Sequence, residues 1–508
     1  MNWVIKENND NESVKRLSNE LNISPILSSM LVNRRVKTFD EAKKFFRPNF
    51  EMLHDPFLMK DMSLAVERIQ KAIQKNESIM IFGDYDVDGT SSVALLSMYL
   101  ESLGLKIIKY LPDRKKEGYG VSINAIDHAF SKNHKLIIAL DCGIKAHKQV
   151  EYAKEKGIEF IICDHHNPDK NLPKALAILN PKRKDCAYPF KELCGCGVGF
   201  KLVQAVESKQ SKNNQIINYL DLVALAIAAD VVPLTGENRV LSFIGLQIIN
   251  SNPRPGVHSL LKKNVKKEYT ISDLMYYVGP RINAAGRMKH ASLALELLIC
   301  NDINSVEKLA LEIEDLNTSR RDIEKDITSQ AIEQVDNSSE KLNSIVVFDS
   351  DWNKGVIGIV ASRLVDKYYK PSIVFCESSK GVLTASARSI KGLDLYSVLN
   401  QCKGFIDQFG GHKYAAGLTI KKENLEGFKK HFENIVSQII DKNIFEQELL
   451  IESKINLNEI TPKFFRILKQ FEPFGPGNKS PLFLSEYLKT KGKAFELGKE
   501  KEHIKLNL

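Results

Sequence analysis

Between residues 79 and 163, short apolar runs at 79–82, 106–111, 136–140 and 159–163 alternate with helical periodicity near 91–100, 122–130 and 146–156. Runs that are apolar at nearly every position belong to strands covered on both faces, so the alternation predicts a parallel sheet flanked by helices. Upstream, residues 1–75 read as polar helices interrupted by Pro48 and Pro56, an N-terminal extension ending in a helix near 62–74. Downstream, Val306, Leu309, Ile313, Leu316, Ile323 and Ile327 recur at helical steps with charges between them, which predicts a long amphipathic connector within 289–335. Strand-like runs at 345–348 and 372–375 flank a helix at 359–367, so a second α/β domain is expected over 336–448. The stretch 449–508 holds short strand-like runs and the turn at Pro473 to Pro476, a small β-rich tail. The expected class is α/β, with the first domain spanning 76–288.

At 508 residues the chain is long enough for several cores. Lys+Arg 72 against Asp+Glu 63 leaves a net charge of +9, which suits a nucleic-acid partner without demanding one. The longest apolar stretch, 222–234, is broken by Asp230 and falls short of the ~20 residues that span a bilayer. The first residues lack the basic head and apolar core of a signal peptide, so no membrane association and a cytoplasmic location are expected. Eight scattered cysteines, with Cys194 and Cys196 as one C-x-C pair, read as reduced thiols rather than a zinc site.

The chemistry concentrates at the ends of the predicted strands. Asp84, Asp86 and Asp88 follow the first strand, Asp141 the third, and Asp164, His165 and His166 the fourth; Asp230 interrupts an apolar helix. Ligands of open α/β sheets sit beyond the carboxyl ends of the strands, which brings these groups to one edge. So many carboxylates repel unless cations neutralise them. Oxygen-rich ligation with a minority of imidazole suits Mn²⁺ or Mg²⁺, and a pair of such ions is the usual apparatus for in-line phosphoester hydrolysis. The Asp-x-Asp-x-Asp-Gly string also resembles a calcium loop, but it lacks the later glutamate and follows a strand. Asp164 reads as readily as a helix N-cap, and a single histidine as a core or surface group. Arg114, Lys115, Lys116, Arg281, Arg287 and Arg388 offer cations beside glycines that let a backbone approach phosphate. Tyr119 suits base stacking or core packing equally; Lys262, Lys263, Lys266 and Lys267 read as a solvated face.

Residues 84–90, 141–143, 164–166 and 229–234 resemble the four motifs of the DHH phosphoesterase superfamily. Residues 279–287, 355–362, 386–389 and 410–412 resemble, within it, the bacterial family of single-strand-specific 5′→3′ DNA exonucleases, over roughly 45–508. The resemblance implies one metal on Asp84, Asp86 and Asp141 and a second on Asp88, Asp141, His165 and Asp230, with Asp141 bridging. It makes Asp141, His165 and His166 catalytic, with His166 beside the scissile phosphate. It further implies a DHH-associated domain whose Ser386, Arg388 and His412 face the metals; Arg281, Asn283 and Arg287 are expected DNA contacts, and Arg114 and Tyr119 are the candidates for holding the strand's 5′ end. The tail resembles an OB-fold whose strand at 504–508 comes about where closing strands would come next, so the OB-like region is either completed differently or incomplete.

Release of 5′-mononucleotides in DNA repair and recombination follows from the resemblance, as do a single-strand-binding protein and a helicase as partners and a monomeric state. A phosphodiesterase of short oligonucleotides or cyclic dinucleotides, and a non-catalytic DNA-binding relative, remain the alternatives. Two positions depart from the pattern: Asn353 stands where histidine is usual, and Ala387 where glycine is common.

Overall fold

All four apolar runs become strands of one parallel sheet, joined by a fifth, in the order Ile107–Tyr110, Ile79–Gly83, Leu136–Leu140, Glu159–Cys163, Ala177–Leu179. The computed structural model describes residues 2–7, 10–114, 116–210, 216–262, 264–338, 342–439, 448–498 and 503–506. Lys115 and Lys263 of the basic stretches, and Asn507 and Leu508 of the last expected strand, lie outside the described residues. Along Ile79–Gly83, Ile79 and Ile81 enter one core layer while Met80 and Phe82 enter the other, so both faces are dry and every position must be apolar.

The second sheet has five strands in the order Gln408–Gly411, Ala415–Lys421, Val382–Arg388, Ser372–Ser379, Ile345–Phe348. Its parallel pair joins Ile345–Phe348 to Ser372–Ser379; the other pairs are antiparallel, so this domain is mixed α/β. The connector is a helix of 34 residues, Ile303–Asp336, started by Asp302, whose side chain accepts from Ser305 N. It begins later than the sequence pattern indicates. Residues 292–299 form a separate helix whose Leu293, Ala294, Leu297 and Leu298 belong to the first core.

The chain packs as two units, Met1–Pro48 with Gln447–Leu508, and Asn49–Glu446. The expected extension to residue 75 is therefore too long. Met62, Ala65, Val66 and Ile69 of helix Met62–Gln74 are buried in the core beside the first sheet, which ties that segment to the larger unit. In the smaller unit, Asn2–Ile5 pairs in parallel with Glu448–Ile451, and Leu17, Leu27, Leu31, Phe464 and Phe471 share one core. The expected β-rich tail also carries a helix, Pro462–Lys469, opened by the side chain of Thr461 and by Pro462.

One buried polar knot steadies the first domain. The Lys201 ammonium, fully buried on helix Gly195–Glu207, donates to the His54 carbonyl at 2.6 Å and to Glu237 Oε1 at 3.2 Å. Glu237 also accepts from His54 N at 2.9 Å and from the Tyr188 hydroxyl at 2.6 Å. Removing one partner of a buried pair strands the other charge. Glu237→Ala should therefore lower stability by about 3–5 kcal/mol, read as a shift of the urea midpoint, with Glu237→Gln losing less.

Candidate metal centre and phosphate pocket

Three strands deliver their acids to one edge of the sheet. Asp84 follows Ile79–Gly83, Asp141 follows Leu136–Leu140 and Asp164 follows Glu159–Cys163. Asp86 caps helix Val87–Ser102, accepting from Gly89 N at 3.0 Å. Asp88, at the start of that helix, accepts from the backbone N–H groups of Gly195 and Cys196, both at 2.7 Å, at the N-terminus of helix Gly195–Glu207. Two glycines make the crowding possible: a Cβ at Gly89 would lie 2.4 Å from the Asp84 carbonyl oxygen, and one at Gly195 would lie 2.6 Å from the Asp141 Cβ. Asp141 itself turns out of its strand in the left-handed region, φ 59°, which short polar side chains tolerate best after glycine. Asp230 ends helix Leu220–Asp230.

His165 Nε2 stands 3.1 Å from Asp141 Oδ1, 3.7 Å from Asp230 Oδ2 and 3.9 Å from Asp88 Oδ2. The shortest of these approaches is off the line of a hydrogen bond. Asp84 Oδ1, Asp141 Oδ1 and both ring nitrogens of His165 are buried without a hydrogen-bond partner. Burial, then the neighbouring carboxylates, push Asp84, Asp88, Asp141 and Asp230 above the usual carboxylate range. Burial, then the charge of His166, push His165 down and keep its imidazole neutral and able to ligate. Unmatched buried oxygens and a neutral imidazole fit hard divalent cations. Among the described residues, ligand atoms of Asp88, His165 and Asp230, and of Asp141, His165 and His166, lie within 4.8 Å of one another. The first trio matches three of the four groups the resemblance gives to one metal. The other trio contains His166 in place of Asp84 and Asp86.

Asp164 behaves in the opposite way. It accepts from the backbone N–H groups of Ile144 at 2.9 Å, His165 at 2.7 Å and His166 at 3.0 Å, and from His166 Nδ1 at 2.7 Å. Burial works against its charge, but the bonds and charge from His166 hold it below the usual range. Desolvation likewise works against a charged His166, and Asp164 raises it above the ordinary value. Asp164 thus fixes the loop and orients His166. The Asn180 side chain, through Nδ2, holds the His166 carbonyl at 2.9 Å. Tyr119, 59% exposed, puts its hydroxyl 3.3 Å from His166 Nε2, and the His412 ring lies nearly parallel to His166 at 6.0 Å. The sequence pattern shows Asp164 only as a cap or ligand and gives no prominence to Asn180 or Gly195. The glycine run at 195–199, opening a buried helix, is the one signal that pointed to close backbone approach.

Beside the acids lies a cluster of cations. Arg114 sits over the Tyr85 ring at 4.8 Å, Arg287 donates to the Gly355 carbonyl at 2.9 Å, and Arg388 donates to Ser386 Oγ at 3.0 Å. None of the three forms an ion pair among the described residues. Desolvation, then Arg114 and Arg388, push Arg287 down to about 9; desolvation, then Arg114, lower Arg388. Guanidiniums gathered without carboxylates form a pocket for a phosphate dianion. Ala387 is buried and extended in strand Val382–Arg388, opposite Ile373 and Ala416, so glycine is not required there. Asn353 accepts from Gly355 N at 2.8 Å through Oδ1 and shapes the loop that carries the carbonyl bound by Arg287.

Arg281 grips Glu314 of the connector with two nitrogens, at 2.7 and 3.2 Å, and the Tyr277 carbonyl at 2.7 Å, so three of its donors tie helices together. Asn283 is half-buried on the same helix, Gly279–Met288.

Comparison with known proteins agrees with this layout. The pattern of the DHH family, N-terminal domain, matches residues 78–227, the DHHA1 domain 341–438 and the RecJ OB domain 451–508. The single-stranded-DNA-specific exonuclease RecJ of Bacillus subtilis is 36% identical, across 100% of this chain and 64% of its own length. The chain thus spans just under two thirds of that relative. The corresponding protein of Haemophilus influenzae is 34% identical, across 97% of this chain and 88% of its own length. RecJ from Thermus thermophilus, solved in complex with Mn²⁺, superposes with a TM-score of 0.87 at 26% identity, covering 100% of this chain and 72% of that one.

If buried carboxylate repulsion is what the cations relieve, Asp141→Asn should raise the thermal midpoint of the chelated protein and erase most of the gain that Mn²⁺ gives the unsubstituted chain. That gain corresponds to about 2.7 kcal/mol at a hundredfold excess over the dissociation constant. Thermal unfolding with and without chelator reads both, and an undiminished Mn²⁺ response in the variant would contradict the assignment.

Proposed function

The chain belongs to the family of single-stranded-DNA-specific exonuclease RecJ, and from that premise we propose that it degrades single-stranded DNA from the 5′ end, releasing 5′-mononucleotides in DNA repair and recombination. The observation that carries this reading is the adjacency of two sites of opposite sign. Asp84 follows strand Ile79–Gly83 at the acidic centre, and the next residue, Tyr85, carries the Arg114 guanidinium on its ring.

Asp84, Asp86, Asp88, Asp141, His165 and Asp230 would hold two divalent ions, Mn²⁺ or Mg²⁺, which when bound would supply positive charge and water activation for phosphoester hydrolysis. Arg114, Arg287, Arg388 and Ser386 hold the terminal 5′-phosphate, which puts the first internucleotide phosphorus at the acids. His166, whose hold on a proton Asp164 strengthens, gives that proton to the departing 3′ oxygen. The bond between that oxygen and phosphorus breaks, and the phosphate stays on the shortened strand. Each turnover therefore regenerates the 5′-phosphate that the arginines recognise. Tyr119 stacks on the first base and His412 closes the site from the second domain.

The OB-like tail extends the contact with single-stranded DNA. A single-strand-binding protein and a helicase that bares the strand are the partners this reading calls for, with the chain acting as a monomer in the cytoplasm. Among the described residues no helix is long and apolar enough to cross a membrane.

A 5′-phosphorylated single strand labelled at its 3′ end, incubated with Mn²⁺, should shrink progressively from the unlabelled end, and Asp141→Ala should leave it intact. Intact strands alongside rapid cleavage of dinucleotides would assign the chain to short substrates instead. Asp164→Asn should lower kcat by roughly 10²-fold or more while Mn²⁺ still raises the thermal midpoint, because the proton donor is lost and the ligands are not.

A further inference from the structure

A polar groove of about 1020 Å³ opens between the connector helix and the helical turns at 271–281, and neither the acids of the metal centre nor Arg114, Arg287 and Arg388 line it. Its shape begins with Pro280. Proline has no N–H and its ring collides with the carbonyl four residues back, so a regular α-helix cannot run through it unaltered. The chain widens instead into a π turn, Leu274–Val278, in which Gly279 N donates to the Leu274 carbonyl, and Arg281 caps the Tyr277 carbonyl at 2.7 Å. The widened turn carries Tyr276, 70% exposed, and Tyr277, 37% exposed, into the groove.

The facing wall is a stripe of the connector. Thr318, Arg321, Lys325 and Thr328 recur at steps of three, four and three on one face of helix Ile303–Asp336. Arg321 and Lys325 are exposed and form no ion pair among the described residues. The Thr328 hydroxyl is buried with no hydrogen-bond partner. Of the groove's carboxylates, Asp273 is held by Lys266 and Glu324 by Arg320 and Arg363, which leaves Asp322 beside the two cations. Exposed tyrosine rings opposite Arg321 and Lys325 match the two things a flexible polynucleotide offers, base faces and phosphates.

We propose that this groove is a non-catalytic binding site for single-stranded nucleic acid, holding a stretch of strand outside the catalytic cleft. The inference rests on the nucleic-acid substrate proposed above. The bases stack on Tyr276 and Tyr277, and the phosphates lie along Arg321 and Lys325. Long strands gain from the groove, whereas strands that only fill the cleft do not.

Tyr276→Ala and the pair Arg321→Gln with Lys325→Gln change exposed side chains and test this directly. Fluorescence anisotropy in chelator, on labelled thymidine strands of about 6 and about 30 nucleotides, should show roughly tenfold weaker binding of the long strand only. The double variant should also flatten the salt dependence by about 1.4 log units per log unit of salt, the share of two phosphate contacts. Hydrolysis of the short strand with Mn²⁺ should be unchanged. Unaltered affinity and salt slope for the long strand would overturn the proposal and leave the cations to an acidic protein segment; equal losses on both strands would overturn it by placing these residues in the cleft. If the unsubstituted protein hydrolyses neither strand while the variants still weaken long-strand binding, the exonuclease reading fails and the groove stands.

Discussion

Everything at the centre of this protein depends on holding like charges together out of water. Asp84, Asp88 and Asp141 are almost wholly buried, and burial and the neighbouring carboxylates raise their affinity for protons. A fold does not tolerate that by itself; it needs fixed dipoles to position the acids and cations to neutralise them. Helix N-termini supply part of the first requirement, capped by Asp86 and pointing two N–H groups at Asp88. Asp84 Oδ1 and Asp141 Oδ1 have no hydrogen-bond partner among the described residues, and this incompleteness suits the centre to metal ions. Asp164 marks the contrast, since it is equally buried but fully bonded, and its charge is stabilised rather than opposed. One acid of the group serves geometry, and the others wait for ions.

The arginine pocket is the same problem with the sign reversed. Arg287 is depressed first by burial and then by Arg114 and Arg388, so the pocket repels itself as the acids do. In the proposed reading, a phosphodiester substrate relieves both self-repelling clusters, its terminal phosphate meeting the arginines and the next one the metal-loaded acids. On that reading the backbone spacing of DNA selects which bond is cut. Specificity for the 5′ end, in this reading, is a matter of where opposite charges are unbalanced rather than of base recognition.

The parallel sheet and the acids at its strand ends were legible in the sequence because they arise from local pattern. An all-apolar run such as Leu136–Leu140 is the mark of a doubly covered strand, and the residue after it, Asp141, must emerge at the sheet edge. Positions set by distant packing were not legible. Helix Met62–Gln74 looks like the rest of a polar extension until Met62, Ala65 and Ile69 are seen buried beside the sheet. Arg281 and Arg287 lie in one motif and read alike, yet one is consumed by Glu314 of the connector and the other reaches the Gly355 carbonyl of the second domain. No local rule distinguishes an arginine that ties helices from one that reaches across to the second domain, because the difference lies in which long-range partner is within reach.

That difference has a geometric root in the helix that carries both residues. On an undistorted α-helix, Tyr276 and Arg287, about eleven residues apart, would fall within ~20° of each other, at roughly 100° per residue. Both would then compete for the same side. The π turn, forced by Pro280, inserts about one extra residue of rotation, up to ~100°, between the segments on its two sides. Arg287 keeps its place in the phosphate pocket, while the tyrosines swing toward the connector and its unpaired cations. A single proline thereby divides one helix into two working faces, one at the arginine pocket and one at the groove.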